Sequence, residues 1–197
     1  MPPAPKQQRP PSVKGQRDAA ATRARLLEAA TVEFAEHGLA GARVDRIAAA
    51  AEANKQLIYA YFGNKRQLFD AVIEGRVAEL LETVPFTAED LPGYAVRLRA
   101  FNRAHPELMR LVLWHTLECP GELLALEFTS DSNAKKIAAI RAAQDAGAIT
   151  AGTSAPALLL EVIALIHGDI LSGGSEAAEV ALDDDALAAA VRRLVAP

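Results

Sequence analysis

An all-α chain of two parts, an N-terminal three-helix helix-turn-helix domain and a larger C-terminal helical domain, is the fold this sequence predicts. Three observations carry the prediction. Apolar residues recur at helical spacing along most of the chain, and no segment alternates convincingly as a strand. Residues 43–65 hold two short helical patterns that meet across a tight polar break. Charge is divided as well: residues 1–66 carry eleven Lys or Arg against six Asp or Glu, and residues 67–197 carry ten against nineteen. The formal net charge of −4 thus splits into a head of +5 and a body of −9. Taken whole, the charge argues against nucleic acid. Its distribution reverses that inference, because a basic head on an acidic body suits a polyanion-binding domain joined to a regulatory one. The plainer reading, solvated arms and helix faces, stands beside it on charge alone.

Composition narrows the classes further. With 197 residues, 51% of them hydrophobic, the chain is long and apolar enough for a buried core and is not a disordered protein. A single cysteine, Cys119, excludes an intramolecular disulfide framework and fits a reducing compartment. Pro2, Pro3, Pro5, Pro10 and Pro11 stand where a signal peptide would have its apolar stretch. The longest apolar run, residues 155–166, is interrupted by Pro156 and Glu161 and falls short of the roughly 18 residues of a spanning helix. A cytoplasmic protein without a membrane partner is expected.

The elements follow in order. Residues 1–17, rich in Pro and Gln with Lys6, Arg9, Lys14 and Arg17 and no acid, read as a disordered basic arm. Such an arm either follows phosphates or enters a minor groove, or is a tail of weak electrostatic influence. The helix-turn-helix domain is expected over 18–66 and the helical regulatory and dimerisation domain over 67–197. A first helix runs from near Asp18 to His37, with Leu27, Ala30 and Phe34 on one face and Gly38 as its stop. The second places Val44, Ile47, Ala48 and Ala51 together. The third buries Leu57, Ile58 and Phe62 and leaves Asn54, Lys55, Gln56, Tyr59 and Tyr61 available. Asn64-Lys65-Arg66-Gln67 is a variant capping box, with Asn at N-cap and Gln at N3, opening a fourth helix that ends before Pro85.

In the body, residues 88–104 form a helix, and Pro106 opens another that Pro120-Gly121 closes. Ser132–Ala146 and Ser154–Leu171 follow, and Asp183-Asp184-Asp185 begins the last helix. Leu158, Leu159, Val162, Ile163, Ile166, Leu187, Val191 and Leu194 make the last two helices apolar on several sides. Periodicity leaves two uses for them, a subunit interface or the core of a monomer.

The string Ile58-Tyr59-Ala60-Tyr61-Phe62-Gly63-Asn64-Lys65 resembles the recognition-helix signature of TetR-family transcriptional regulators. Residues 22–30 and 34–38 resemble the family's first helix, and the likeness is firm over about 18–83. Glu52 departs from it, standing in the turn where the family commonly has Gly, which tolerates positive φ. So do Ala42 and Arg43, near the start of the second helix where a Thr is usual, and Gln56 and Leu57, where the family has a small residue and a Thr. The resemblance implies a homodimer paired through its C-terminal helices on a palindromic double-stranded DNA operator. It also implies a fourth helix that links head to body, and release by an unknown small-molecule effector.

For base readout the candidates are Lys55, Gln56 and Tyr59, with Asn54 at the helix entry. Lys donates to guanine, Gln bridges adenine, and a Tyr ring touches thymine methyl groups. Arg43, Tyr61 and Lys65 are placed for phosphates, which fix register; Lys65 also lies at a helix N-terminus suited to an anion. Asn54 serves either as a plain N-cap or as a contact, and Tyr59 either touches DNA or packs on the first helix. In the body, Phe101, Met109, Trp114, His115 and His167 are the ligand-binding candidates, with Trp114 more often at home in a core. His115, Glu118, Cys119, His167 and Asp169 lack the close spacing of a metal site, so no metal and no cofactor is expected. Nor is an enzyme: there is no Gly-rich phosphate loop, His-Glu-x-x-His or nucleophile elbow. The expected function is that of a sequence-specific DNA-binding regulator, a repressor released by a small molecule. The alternative keeps the DNA-binding head on a body that is an effector-free dimerisation or protein-interaction module.

Overall fold

The computed structural model describes residues 13–123, 126–171 and 183–197, and nine segments of these are α-helical. The basic arm expected over residues 1–17 lies outside the described residues as far as residue 12, and so does the Gly173-Gly174 turn. The chain forms two compact units that divide between Val72 and Ile73. Among the described residues, no helix is long and apolar enough to cross a membrane.

The first unit contains α1 (Val13–Gly41), α2 (Val44–Ala50), α3 (Lys55–Phe62) and the first turns of α4 (Lys65–Thr83). Helix α1 begins at Val13, earlier than the expected Asp18, because nothing after Pro11 breaks a helix more severely than the single Gly15. Its helical path is interrupted at Gly38 (φ 66, ψ −175), the expected stop. Leu26, not Leu27, shares the fully buried face with Ala30 and Phe34. The three stand four residues apart, so they stack on one row, whereas Leu27 turns partly outward. The Phe34 ring meets Phe69 at 4.9 Å, and Ile47, Ala48, Ile58 and Phe62 close this small core from α2 and α3. Burying each large side chain contributes about 1.5–3 kcal/mol.

The turn between α2 and α3 shows how the chain manages without glycine. Glu52 takes φ 50, in the left-handed region. Its N–H donates to the Ala49 carbonyl at 3.1 Å, and the Ala53 N–H donates to the Ala48 carbonyl at 2.9 Å. That pair of bonds is a Schellman motif, which satisfies two orphan carbonyls of α2 and fixes the direction in which α3 departs. The motif recurs at the end of the seventh helix with Gly147 (φ 69) in the same place.

The second unit holds the rest of α4, then α5 (Leu91–Ala104), α6 (Pro106–Glu118), α7 (Glu127–Asp145), α8 (Ala155–Leu171) and α9 (Asp184–Val195). Caps explain most of these boundaries. The Asp90 carboxylate accepts from the Gly93 N–H at 2.9 Å, Pro106 occupies the first turn of α6, and the Asp183 carboxylate accepts from the Ala186 N–H at 2.6 Å. Helix α7 starts before the expected Ser132: Leu126 is its N-cap without a side-chain bond, and Ser132 lies within its first turns.

Helix α5 packs against both α8 and α9. Tyr94, Leu98, Leu158, Val162, Ile166, Leu187 and Val191 form the main core there. Arg99, 2% exposed, ties α5 to α9 through the Asp184 carboxylate. Of the eight residues weighed for a subunit interface, Leu158, Leu159, Val162, Ile166, Leu187 and Val191 are buried within one protomer, and Ile163 and Leu194 pack against that core. A helix apolar nearly all round needs neighbours on several sides; the same chain supplies them for these residues of α8, while Leu160 stays exposed.

Candidate nucleic-acid interface and body cavity

The exposed face of α3 is built from its two ends. Asn54 in extended backbone (φ −73, ψ 131) caps the helix, its Oδ1 accepting from the Gln56 N–H at 2.9 Å. Ile58 and Phe62 are buried, which rotates Lys55, Gln56 and Tyr59 to solvent. Tyr59 is 50% exposed, so much of its ring is free to meet a groove. Tyr61 is half-buried, its ring edge-on to Phe62 at 6.3 Å, and Arg23 lies over the Phe62 face at 5.0 Å.

Partners of the basic residues refine the picture. Lys55 Nζ donates to Asp45 Oδ1 at 3.1 Å, both side chains being largely exposed. The Asp45 carboxylate raises the Lys55 pKa, so the ammonium remains charged, and a phosphate or base must displace the carboxylate to reach it. Arg43 caps α2 with an exposed side chain. Its N–H donates to Glu33 Oε1 at 2.7 Å, and Arg46 Nε bonds both oxygens of the same carboxylate, at 2.8 and 3.0 Å. Glu33 is therefore the strut between α1 and the start of α2. Burial works to raise its pKa, but the Arg46 hydrogen bond, the Arg43 N–H and the charges of Arg46 and His37 together lower it. Arg25 Nε reaches the Ala51 carbonyl at 3.1 Å and fastens the other end of α2 to α1.

Lys65 is half-buried, and its Nζ donates to the carbonyls of Ala40 at 3.3 Å and Ala42 at 3.1 Å. Two of its three donors thus close the end of α1. Asn64 Oδ1 accepts from the Gln67 N–H at 2.9 Å, the N-cap bond of the expected box. Gly63 has φ +80, a backbone conformation that strains any residue with a Cβ, and a Cβ there would also meet the tip of Gln67 at 2.2 Å. Glu33, Asp45, Arg46 and Arg25 carry no signal in helical periodicity, because each acts on a residue ten or more positions away.

The second unit holds a half-open cavity of about 430 Å³. Leu98, Leu108, Met109, Ile137, Leu159 and Ile163 supply apolar wall, and Tyr94, Asn102, Thr129, Asn133, Lys136 and His167 are its polar members. Of the five ligand candidates, Met109 and His167 line it. Phe101 is buried and stacks on His105 at 4.3 Å, His115 is fully buried, and Trp114 is half-buried, all three apart from the described wall. Asn102 Nδ2 and Thr129 Oγ1 are buried without a hydrogen-bond partner. Burial pushes the Tyr94 hydroxyl up to about 12 and lowers the Lys136 pKa. Among the described residues, no group of three or more His, Cys, Asp or Glu is placed to hold a metal ion.

Comparison with known proteins accounts for both units. Residues 26–72 match the family of bacterial regulatory proteins of the tetR family, and residues 90–196 match the Tetracyclin repressor-like C-terminal domain. The chain is 44% identical over 188 residues to the HTH-type transcriptional repressor SCO4008 of Streptomyces coelicolor, covering 91% of this chain and 97% of that one. It is 33% identical to the transcriptional regulator SCO4942 of the same species, with a TM-score of 0.75 over 88% of this chain and 98% of the other. The FadR regulator of Bacillus subtilis, solved with stearoyl-CoA, shares the fold at 18% identity, with a TM-score of 0.70 over 87% and 96% of the two chains. The chain therefore belongs to the TetR family of DNA-binding, helix-turn-helix transcriptional regulators.

Proposed function

We propose that this TetR-type repressor acts in the cytoplasm as a homodimer, reads a roughly palindromic operator through α3, and leaves it when a small molecule fills the body cavity. In this reading residues 18–66 bind DNA and residues 67–197 bind the effector and the second subunit. The observation that carries it is the face of α3, where Lys55, Gln56 and Tyr59 stand exposed above the buried Ile58 and Phe62. Side chains of these types at the N-terminal end of a short helix suit base edges in a major groove. Arg43 and the remaining donor of Lys65 serve phosphates, Tyr61 stays at the margin, and Asn54 acts chiefly as the cap.

A body with an apolar cavity and few polar groups favours the effector reading over an effector-free module. An effector that stabilises a half-site spacing unsuited to successive major grooves lowers operator affinity, with a coupling of about 1–3 kcal/mol. For the dimer, the buried core residues of α8 are already used. Its exposed row is Pro156, Leu160, Ala164 and Gly168, four residues apart, with Leu160 69% exposed. That row allows close helix-to-helix approach.

Selection of bound duplexes from a random pool by the purified protein tests the reading, with Tyr59→Ala in parallel. A palindromic motif lost in the variant is expected. Salt-sensitive binding without any motif in the wild type would overturn it.

A further inference from the structure

The cavity wall combines one cation with buried donors that lack acceptors, beside the further polar groups of Tyr94, Asn133 and His167. Lys136 projects a cation over the rings of Phe86 at 6.0 Å and Tyr94 at 5.9 Å, and no Asp or Glu belongs to the described wall. Asn102 is 6% exposed and its Nδ2, a donor, has no acceptor. Thr129 Oγ1, able to donate, is equally unpartnered. The wall around them is apolar, with Leu98, Leu108, Met109 and Ile163 among its members. A partly desolvated cation and buried donors without acceptors are each unfavourable, and a single acceptor-rich anion relieves both. A neutral apolar occupant leaves the ammonium unpaired, and a cationic one is repelled by it.

We propose that the cavity takes an amphipathic organic anion, an apolar body lying against the aliphatic wall with its acidic head held by Lys136, Asn102 and Thr129. The inference rests on the effector reading above and narrows it to a ligand class. The desolvated state of Lys136 fits the same reading, because an anion brought beside it restores the charged form that burial disfavours.

The experiment uses the full chain and a pair of fluorescent dyes that share one ring system, anilinonaphthalene sulfonate and its uncharged counterpart N-phenylnaphthylamine. Wild-type protein should bind the sulfonate about tenfold more tightly than the neutral dye. Lys136→Met should lose about tenfold in sulfonate affinity and keep its affinity for the neutral dye, which also shows that the cavity remains folded. Lys136→Arg should retain the preference. Lys135→Met, which removes the exposed neighbouring charge, should leave it unchanged. Equal binding of the two dyes by the wild type, or an anion preference that survives Lys136→Met, would overturn the proposed head-group site while leaving an effector cavity in place. A wild type that binds neither dye would overturn the effector reading as well.

Discussion

The DNA-facing surface of the head and the cavity wall of the body treat their polar groups in opposite ways. In the first unit, Glu33, Asn54, Asn64, Lys55 and Lys65 all have hydrogen-bond partners, and most of those bonds set the ends and angles of helices. In the second, Asn102 Nδ2 and Thr129 Oγ1 are buried without a partner, and both line the cavity. A surface that meets a large external polyanion gains from being fixed beforehand, since ordering on contact costs affinity. A cavity gains specificity from groups left wanting, because only the right occupant relieves them.

The contrast can be broken most severely at Phe34. Truncation to Ala removes a fully buried ring from the small core and should destabilise the head by about 3–5 kcal/mol. Hydrogen exchange should then show lost protection in α1–α3 and retained protection in α5, α8 and α9. Equal loss in both units would mean that they unfold as one.

Asn102→Leu sharpens the other side. If the amide is unsatisfied, an apolar side chain of similar size should stabilise the body by about 1–3 kcal/mol in a denaturant titration. A loss of stability would reveal a partner in solution.

Glu52→Gly, at the left-handed position of the α2–α3 turn, should raise head stability by about 1 kcal/mol, since glycine carries no Cβ penalty there. An unchanged melting midpoint would show that glycine's greater freedom in the unfolded chain offsets the relief.

The smallest effect is expected with acid. The pKa of Glu33 is lowered in the folded head, so its contribution is complete above the ordinary value of 4.5 and is lost as pH falls through the folded one. Glu33→Gln should flatten that acid loss in the head. The body keeps its own, because Asp90 is held low by the Arg97 hydrogen bond and by the Gly93 N–H. Identical pH profiles for variant and wild type would remove Glu33 from the account.

What was legible in the sequence was whatever depends on near neighbours. The stop at Gly38, the caps at Asn54, Asn64 and Asp183, and Pro106 at a first turn are fixed by bonds that span three or four residues or by one ring. The exposed Lys55, Gln56 and Tyr59 follow from the burial of Ile58 and Phe62 on a helix of only eight residues. Misreadings began where one helix meets another. Leu26 and Leu27 are equally apolar, and only the position of the partner chooses between them. The apolar rows of α8 and α9 carry no mark of whose core they fill. At Lys65 the sequence shows the cation but not the end of α1, which takes two of its three donors. Phe101, Trp114 and His115 have the chemistry of a pocket wall, whereas the cavity forms where packing leaves space, next to Asn102 and Lys136.

Two glycines bear on how this sequence is free to drift. At Gly93, a Cβ would fall 2.1 Å from Asp90 Oδ2, and at Gly63 it would fall 2.2 Å from Gln67 Oε1. In both, the obstacle is a side chain three or four positions away that belongs to the same helix start. At Gly93 the obstacle is the carboxylate that caps the helix, whereas at Gly63 it is the tip of an exposed, flexible side chain that can turn aside. At Gly93, replacing the glycine first meets the capping carboxylate, whereas shortening Asp90 first opens the space, so the order of substitutions matters there. At Gly93 that path sacrifices the Asp90 cap along the way, and at Gly63 the positive φ still bars most residues after the space is open.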